Sequence, residues 1–289
     1  MALTIDQQIE EIEKEIRKTP YHKGTERHIG LLKAKIARLK VEKEARAMRG
    51  SSGRGASYGV RKQGDATVVL VGPPSVGKST LLNALTNAES KVAPYAFTTV
   101  SVIPGMMKYR YANIQLLDVP GLIEGAEEGK GRGREVLSVV RGADLLLLIT
   151  DPGYMNAVLS IKAALERNGI KLDKSPPDIR IDKKTAGGII VNTNLRQTLG
   201  LETIKQIVSQ IGVKNAEVYL NEVATIDTLI DSISKNRVYI PTLTVINKAD
   251  QLKKGRVNQL IHQYVLVSAK DGTNLDSLKK QIWARLGLV

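Results

Sequence analysis

Between an apolar run, Thr67 to Val71, and a helix-like stretch, Thr80-Leu81-Leu82-Asn83-Ala84-Leu85, the chain places Gly72-Pro73-Pro74-Ser75-Val76-Gly77-Lys78-Ser79. The spacing G-x-x-x-x-G-K-S between a strand and a helix is that of a phosphate-binding loop. Glycine-rich backbone can wrap its N–H groups around a β-phosphate. The Lys78 ammonium can reach the β and γ oxygens, and the Ser79 hydroxyl can ligate Mg²⁺, with Thr80 next in the helix. This octapeptide asks for an α/β unit that holds a nucleoside triphosphate. It leaves the base and the use of that triphosphate open.

The chain has 289 residues, 42% of them hydrophobic, enough for a substantial core in one large domain or two to three small ones. Cysteine is absent, which removes disulfides and cysteine metal sites and fits a reducing, cytoplasmic location. His22, His28 and His262 are scattered without metal-ligand spacing. No charged-then-apolar leader opens the sequence, and the longest strongly apolar run, Leu145 to Ile149, is too short for a bilayer. A soluble protein without a membrane partner is expected. Net charge is +14 and unevenly placed: residues 18–64 hold thirteen basic and three acidic side chains. Such a concentration is the electrostatic footprint of an RNA contact, the plainer reading being a solvated helix face; no DNA partner is expected.

Ile5, Ile9, Ile12 and Ile16 form an apolar seam, and after a break at Thr19–Gly24 a second seam runs through Ile29, Leu32, Ile36 and Leu39. The pair predicts an antiparallel helical hairpin over 1–49, with a basic second helix that faces outwards. Residues 50–64, rich in glycine and serine, read as a linker. From Ala66 onwards apolar strands (Thr67–Val71, Ile114–Leu117, Asp144–Thr150, Tyr239–Ile246, Tyr264–Val267) alternate with helices, and Ser101–Arg110 supplies an edge strand. Helices are expected near Thr80–Asn87, Arg134–Val140, Asn156–Arg167, Leu252–Gln259 and Asn274–Leu286. This is the pattern of a mainly parallel α/β sheet with flanking helices, a P-loop domain over 65–171 and 237–289. Residues 172–236 interrupt it and read as an inserted α+β subdomain. There Ile179–Ile181 and Gly188–Val191 are expected to pair as a hairpin, followed by a helix at Glu202–Ile211, a strand at Glu217–Leu220 and a helix at Ile226–Ser234. No catalytic constellation falls in the insertion, so a structural or partner-docking role is expected.

Three further motifs fall at strand ends, where ligands bind such sheets. Asp118-Val119-Pro120-Gly121 places a carboxylate to hold Mg²⁺ through water and a glycine N–H to meet a γ-phosphate. Phe97-Thr98-Thr99 lies where a switch loop supplies a threonine hydroxyl to the metal when the γ-phosphate is present. Asn247-Lys248-Ala249-Asp250 selects the base. Two Asp250 oxygens match guanine's ring N–H and exocyclic amine, whereas adenine leaves a carboxylate unpaired. Asn247 can tie the loops together, Lys248 can lie along the base, and Ser268-Ala269-Lys270 offers a backbone N–H to guanine O6. GTP, GDP and Mg²⁺ are the implied ligands, with Lys78, Thr99 and Gly121 as the groups nearest the hydrolysis.

The segments "GPPSVGKSTLLNALT", "YAFTTVSVIPG", "IQLLDVPGLIEGAEEGKGRGREVLSVVR", "PPDIRIDKKTAGGI", "NRVYIPTLTVINKAD" and "HIGLLKAKIARLK" resemble the developmentally regulated GTP-binding protein family, of archaeal type, in the Obg branch of translation-factor-class GTPases. The resemblance spans essentially the whole chain. It implies a GTPase switch linked to the ribosome, an insertion similar to a ribosomal-protein fold, and a protein regulator. Family members continue into a TGS domain, and this sequence stops at Leu286-Gly287-Leu288-Val289. Related GTPases use K⁺; Ser75 stands where the best-known of these carry asparagine. Leu122 occupies the place of the water-orienting glutamine in Ras-like proteins, so slow hydrolysis is expected. In Glu124–Arg134, Arg132 or Arg134 acts as an arginine finger, contacts RNA or simply solvates a loop. The alternative function is an RNA or partner binder with a structural nucleotide.

Overall fold

The structure, a computed structural model, describes residues 3–49, 62–86, 102–119, 132–234, 236–252, 259–260 and 262–288. They divide into two compact units, one drawn from residues 1–54 and 175–237 and the other from 55–174 and 238–289.

In the second unit β1 (Ala66–Val71), β2 (Ile103–Tyr109), β3 (Ala112–Asp118), β4 (Leu145–Thr150), β10 (Thr242–Ile246) and β11 (Val265–Leu266) form a six-stranded sheet in the order β11-β10-β4-β1-β3-β2. All neighbours are parallel except the edge strand β2, which runs antiparallel to β3 with Ile103 beside Asp118. Every residue of β1 and β4 is buried, as expected of parallel strands covered on both faces. Alternation divides them cleanly. Val68, Leu70, Leu145 and Leu147 share a core with Leu81 and Leu82 of α3 (Lys78–Thr86) and with Ile282 and Trp283 of α8 (Leu275–Arg285). Val69, Val71, Leu146 and Leu148 face a second core built by α4 (Arg132–Arg141) and α5 (Ala157–Arg167). This three-layer sandwich leaves the carboxyl ends of the strands as the accessible rim.

The run Tyr239–Ile246, expected as one strand, is two. Pro241, which has no N–H to donate, separates β9 (Val238–Ile240) from β10, and β9 pairs instead with β5 (Ile170–Leu172) in a small parallel sheet. Asp173, at φ 52°, bolts that junction by accepting from Thr242 N at 2.7 Å and Thr242 Oγ1 at 2.5 Å. Of the helix expected at Leu252–Gln259, residues 253–258 lie outside the described residues.

In the first unit α1 (Ile5–Lys18) and α2 (Glu26–Arg49) run antiparallel: His28 Nε2 is 2.9 Å from Glu15 Oε1 near the turn, and Lys43 pairs with Asp6 at the far end. Thr4 and Gln7 close a capping box at the start of α1. The seam residues Ile12, Ile29 and Leu39 are buried. α2 also has a second buried face. Ala34 and Ala37 enter one core with Ile204, Ile207 and Val208 of α6 (Leu201–Gln210) and with Ile226, Leu229 and Ile230 of α7 (Ile226–Ile233). A Cβ on Gly30 would stand 2.9 Å from Ile207 Cδ1, so the small residues at 30, 34 and 37 set the close approach.

The sheet of this unit departs from expectation. β6 (Ile179–Lys183) and β7 (Ile189–Thr193) do not pair as a hairpin; β8 (Ala216–Leu220) lies between them, antiparallel to β6 and parallel to β7. With Ala216, Val218 and Leu220 all buried, β8 has the most apolar inward face and takes the centre. Asn215 holds the β6–β7 loop over its end, donating to Thr185 O at 3.0 Å and accepting from Gly188 N at 2.9 Å.

Candidate functional site

The phosphate-binding loop leaves β1 at its buried carboxyl end and turns directly into α3. A Cβ on Gly72 would come within 2.1 Å of the Ile149 carbonyl oxygen. Gly77, at φ +86°, would bring one within 2.5 Å of Asn247 Nδ2, so both the backbone shape and the space demand glycine there. Val76 is fully buried and anchors the loop, while Pro74, Ser75, Ser79 and Thr80 are exposed. The Lys78 side chain folds back, its Nζ donating to Pro73 O at 3.0 Å. Burial holds the Lys78 ammonium below the usual lysine range, and the Asp118 carboxylate opposes that shift.

Asp118 ends β3 next to this loop. Ser79 Oγ donates to its Oδ2 at 2.5 Å, whereas Oδ1 is buried without a hydrogen-bond partner among the described residues. A buried carboxylate oxygen with no donor is costly unless a cation or water meets it. A carboxylate with one oxygen on a serine hydroxyl and the other open suits a hard divalent cation such as Mg²⁺, which takes one or two protein oxygens and fills its octahedron with water and phosphate.

The third component follows β10. Asn247, 2% exposed, donates from Nδ2 to Val76 O at 2.9 Å, accepts at Oδ1 from Ala269 N at 3.0 Å, and donates its own N–H to Thr150 O at 2.8 Å. One side chain thus joins the phosphate loop to the loop after β11. Lys248, at φ 56°, spans the same gap: its Nζ donates to Ser75 O at 2.8 Å and to Asp151 Oδ2 at 2.7 Å. Asp250 lies exposed in the single turn Ala249–Gln251 that follows. Ser268 closes its loop on Asp271 at 3.0 Å, and Lys270 is exposed at the tip.

The structure therefore brings together Gly72 to Ser79, Asp118, Asn247, Lys248 and Ala269. Phe97, Thr98, Thr99, Gly121 and Leu122 lie outside the described residues, as do the side chains of Arg132 and Arg134. Sequence reasoning missed Asp151. It is 6% exposed, fixes Lys248 through Oδ2 and accepts from Gly153 N at 3.0 Å through Oδ1. Its signal is an acid set directly after the apolar strand Leu145–Thr150, at the carboxyl end.

A mainly parallel sheet with a Gly-rich loop of phosphate-binding spacing after β1, a carboxylate after β3 and the segment Asn247–Asp250 after β10 is the arrangement of a P-loop GTPase. Over nearly its full length the chain is similar to a GTP-binding protein of Methanocaldococcus jannaschii, with 47% identity covering 100% of this chain and 75% of that one. It is 43% identical to developmentally regulated GTP-binding protein 1 of Xenopus laevis and 42% identical to developmentally regulated GTP-binding protein 2 of Homo sapiens, covering 78% of each. The chain belongs to the developmentally regulated GTP-binding protein family, a family of GTPases. Residues 67–183 match the family described as 50S ribosome-binding GTPase, and residues 186–288 the one described as the C-terminal region of that domain. Among solved structures, Aquifex aeolicus Era bound to GDP and AlF4- is similar at 20% identity and a TM-score of 0.40, over 76% of this chain and 56% of that one.

Proposed function

We propose that the chain binds GTP at this site, hydrolyses it slowly to GDP and phosphate, and works as a switch attached to RNA or the ribosome. The observation that carries the reading is the meeting at one rim of Lys78, Ser79 and an Asp118 oxygen that has no partner among the described residues, tied by Asn247 to the loop after β11. The loop amides and the α3 N-terminus receive the phosphates. Lys78 exchanges its carbonyl partner for β and γ oxygens, a stronger, charge-assisted bond that also relieves the cost of its burial. Ser79, Asp118 and Thr99 would hold Mg²⁺, which would neutralise the phosphate charge. Gly121 meets the γ-phosphate with its N–H, and Thr99 reports the same phosphate from the other switch. Asp250 selects guanine, and the loop Ser268–Lys270 donates to O6; because Ala269 N now binds Asn247 Oδ1, guanine must share or displace that bond. Leu122 cannot polarise water, which sets the rate low.

Support for the RNA side comes from α2. Lys33, Lys43 and Arg46 are committed to Asp227, Asp6 and Glu42, but Arg27, Lys35 and Arg38 are exposed on one strip and have no acidic partner among the described residues. The description of the family matched at 67–183 supports a ribosomal setting. Among the described residues no helix is long and apolar enough to cross a membrane.

The test is phosphate release by the full chain with excess GTP and Mg²⁺, in K⁺ and in Na⁺. Release that falls by at least about 100-fold in Lys78→Ala is expected, by the usual cost of a lost phosphate or oxyanion donor. Release no faster than in that variant would leave nucleotide binding alone.

A further inference from the structure

We propose that the outer edge of β7 is a docking strand for an extended protein segment, a β-branched stretch that adds antiparallel to β7 and ends in acidic residues. The two edges of the three-stranded sheet are built differently. β6 carries Arg180, Asp182 and Lys183 among its five residues, the charges with which natural edge strands discourage pairing. β7 reads Ile189-Ile190-Val191-Asn192-Thr193, without charge or proline, and among the described residues it has a strand on one side only.

Which backbone groups are free follows from one hydrogen bond. Ala216 N donates to Gly188 O at 2.9 Å, so Gly188 points at β8, and strand alternation turns Ile190 and Asn192 the same way. Ile189, Val191 and Thr193 then direct their N–H and C=O groups outwards, at the spacing a guest strand needs. Apolar surface accompanies the edge. Ile190 is 51% exposed, and beyond the strand Leu195 (40%) and Val223 (48%) are held near one another by Gln197, which bonds Thr193 Oγ1, Glu222 O and Ala224 N. Clustered exposed aliphatics next to unpaired backbone are the two components of strand addition: main-chain bonds give affinity and alternate side chains give selectivity.

Charge sets the guest's polarity. Lys183 closes β6, Lys184 follows it with its N–H bonded to Asn215 O at 3.0 Å, and Lys214 precedes β8, so all three lie at the end of the sheet where β7 begins. Only Lys184 has an acid near it, Glu217 at 3.4 Å, among the described residues. Antiparallel addition brings the guest's C-terminal end to this basic end of the sheet, with Lys214 just before β8, the strand next to β7, and an acidic end there is complementary.

The probe is a labelled peptide, Thr-Val-Thr-Val-Thr-Glu-Glu-Glu, titrated into the full chain by fluorescence anisotropy. Three outcomes are expected. Val191→Pro, which deletes one outward N–H and spares the β8 side, weakens binding at least about tenfold, since paired main-chain bonds are lost. The double change Lys184→Glu with Lys214→Glu weakens it by a similar factor. Of two peptides N-methylated on alternate amides, only one loses binding, a comparison that leaves the protein untouched. Equal loss or equal retention by the two methylated peptides overturns the proposal, as does equal binding of a peptide ending in lysines or no binding at all. A dimer of the chain that Ile190→Lys abolishes would assign the edge to a second copy and overturn it too.

Discussion

β1 and β8 are both central strands, yet all of β1 is buried whereas β8 buries only Ala216, Val218 and Leu220 and leaves Glu217 and Tyr219 half-exposed. Helices cover both faces of the six-stranded sheet, so the candidate site is confined to the strand ends, where backbone amides and single side chains converge. In the three-stranded sheet, helices α2, α6 and α7 close one face. The other carries Arg180 stacked 4.5 Å from the Tyr219 ring, and among the described residues no further strand covers either edge. Complete covering yields a site with fixed geometry; partial covering yields surface for recognition.

That division can be broken by mutation, and the largest effect is expected at the rim. Asn247→Ala removes the bonds to Val76 O and Ala269 N, unties the phosphate loop from the base-reading loop, and lowers GTP affinity by about 100-fold in a titration, as expected for buried bonds left unsatisfied. A smaller effect is expected at the first unit's surface. Lys35→Glu with Arg38→Glu reduces the salt slope of RNA affinity by about 1.5 and leaves GTP affinity unchanged. A parallel loss of GTP affinity would erase the separation of roles.

The smallest effect concerns Lys78. Its pKa is lowered in the folded chain from an ordinary value of 10.5, so between the two values the unfolded chain binds a proton that the folded one lacks. Nucleotide-free protein therefore gains stability as pH rises through the window below 10.5. Urea denaturation of Lys78→Met should lack that gain and show higher stability on the acid side of the window. A wild-type curve that falls there relative to the variant would contradict the sign.

Much of the candidate site was legible because the proposed chemistry needs short spacings. Gly72 to Ser79 and Asn247 to Asp250 are contiguous, and each sits where an apolar run ends. Asp151 was not legible in the same way, because its meaning depends on Lys248, which only the fold brings to it. Small residues hid the second face of α2: Gly30, Ala34 and Ala37 look like filler in a helix until α6 and α7 pack on them. The hairpin expected from β6 and β7 failed for a related reason. Proximity in sequence favours pairing neighbours, but the alternation in Ala216–Leu220, supplied from farther along the chain, made β8 the better centre.

The central claim is that Lys78 and Asp250 belong to one guanine-nucleotide site, and calorimetric titration of the full chain with GTP and with ATP, in Mg²⁺, tests it most directly. GTP is predicted to bind with a preference of about 10⁴ over ATP, the scale of a buried polar mismatch, and to lose its binding in Lys78→Ala and its preference in Asp250→Ala. Equal affinity for the two nucleotides, or a preference that survives Asp250→Ala, would contradict the account.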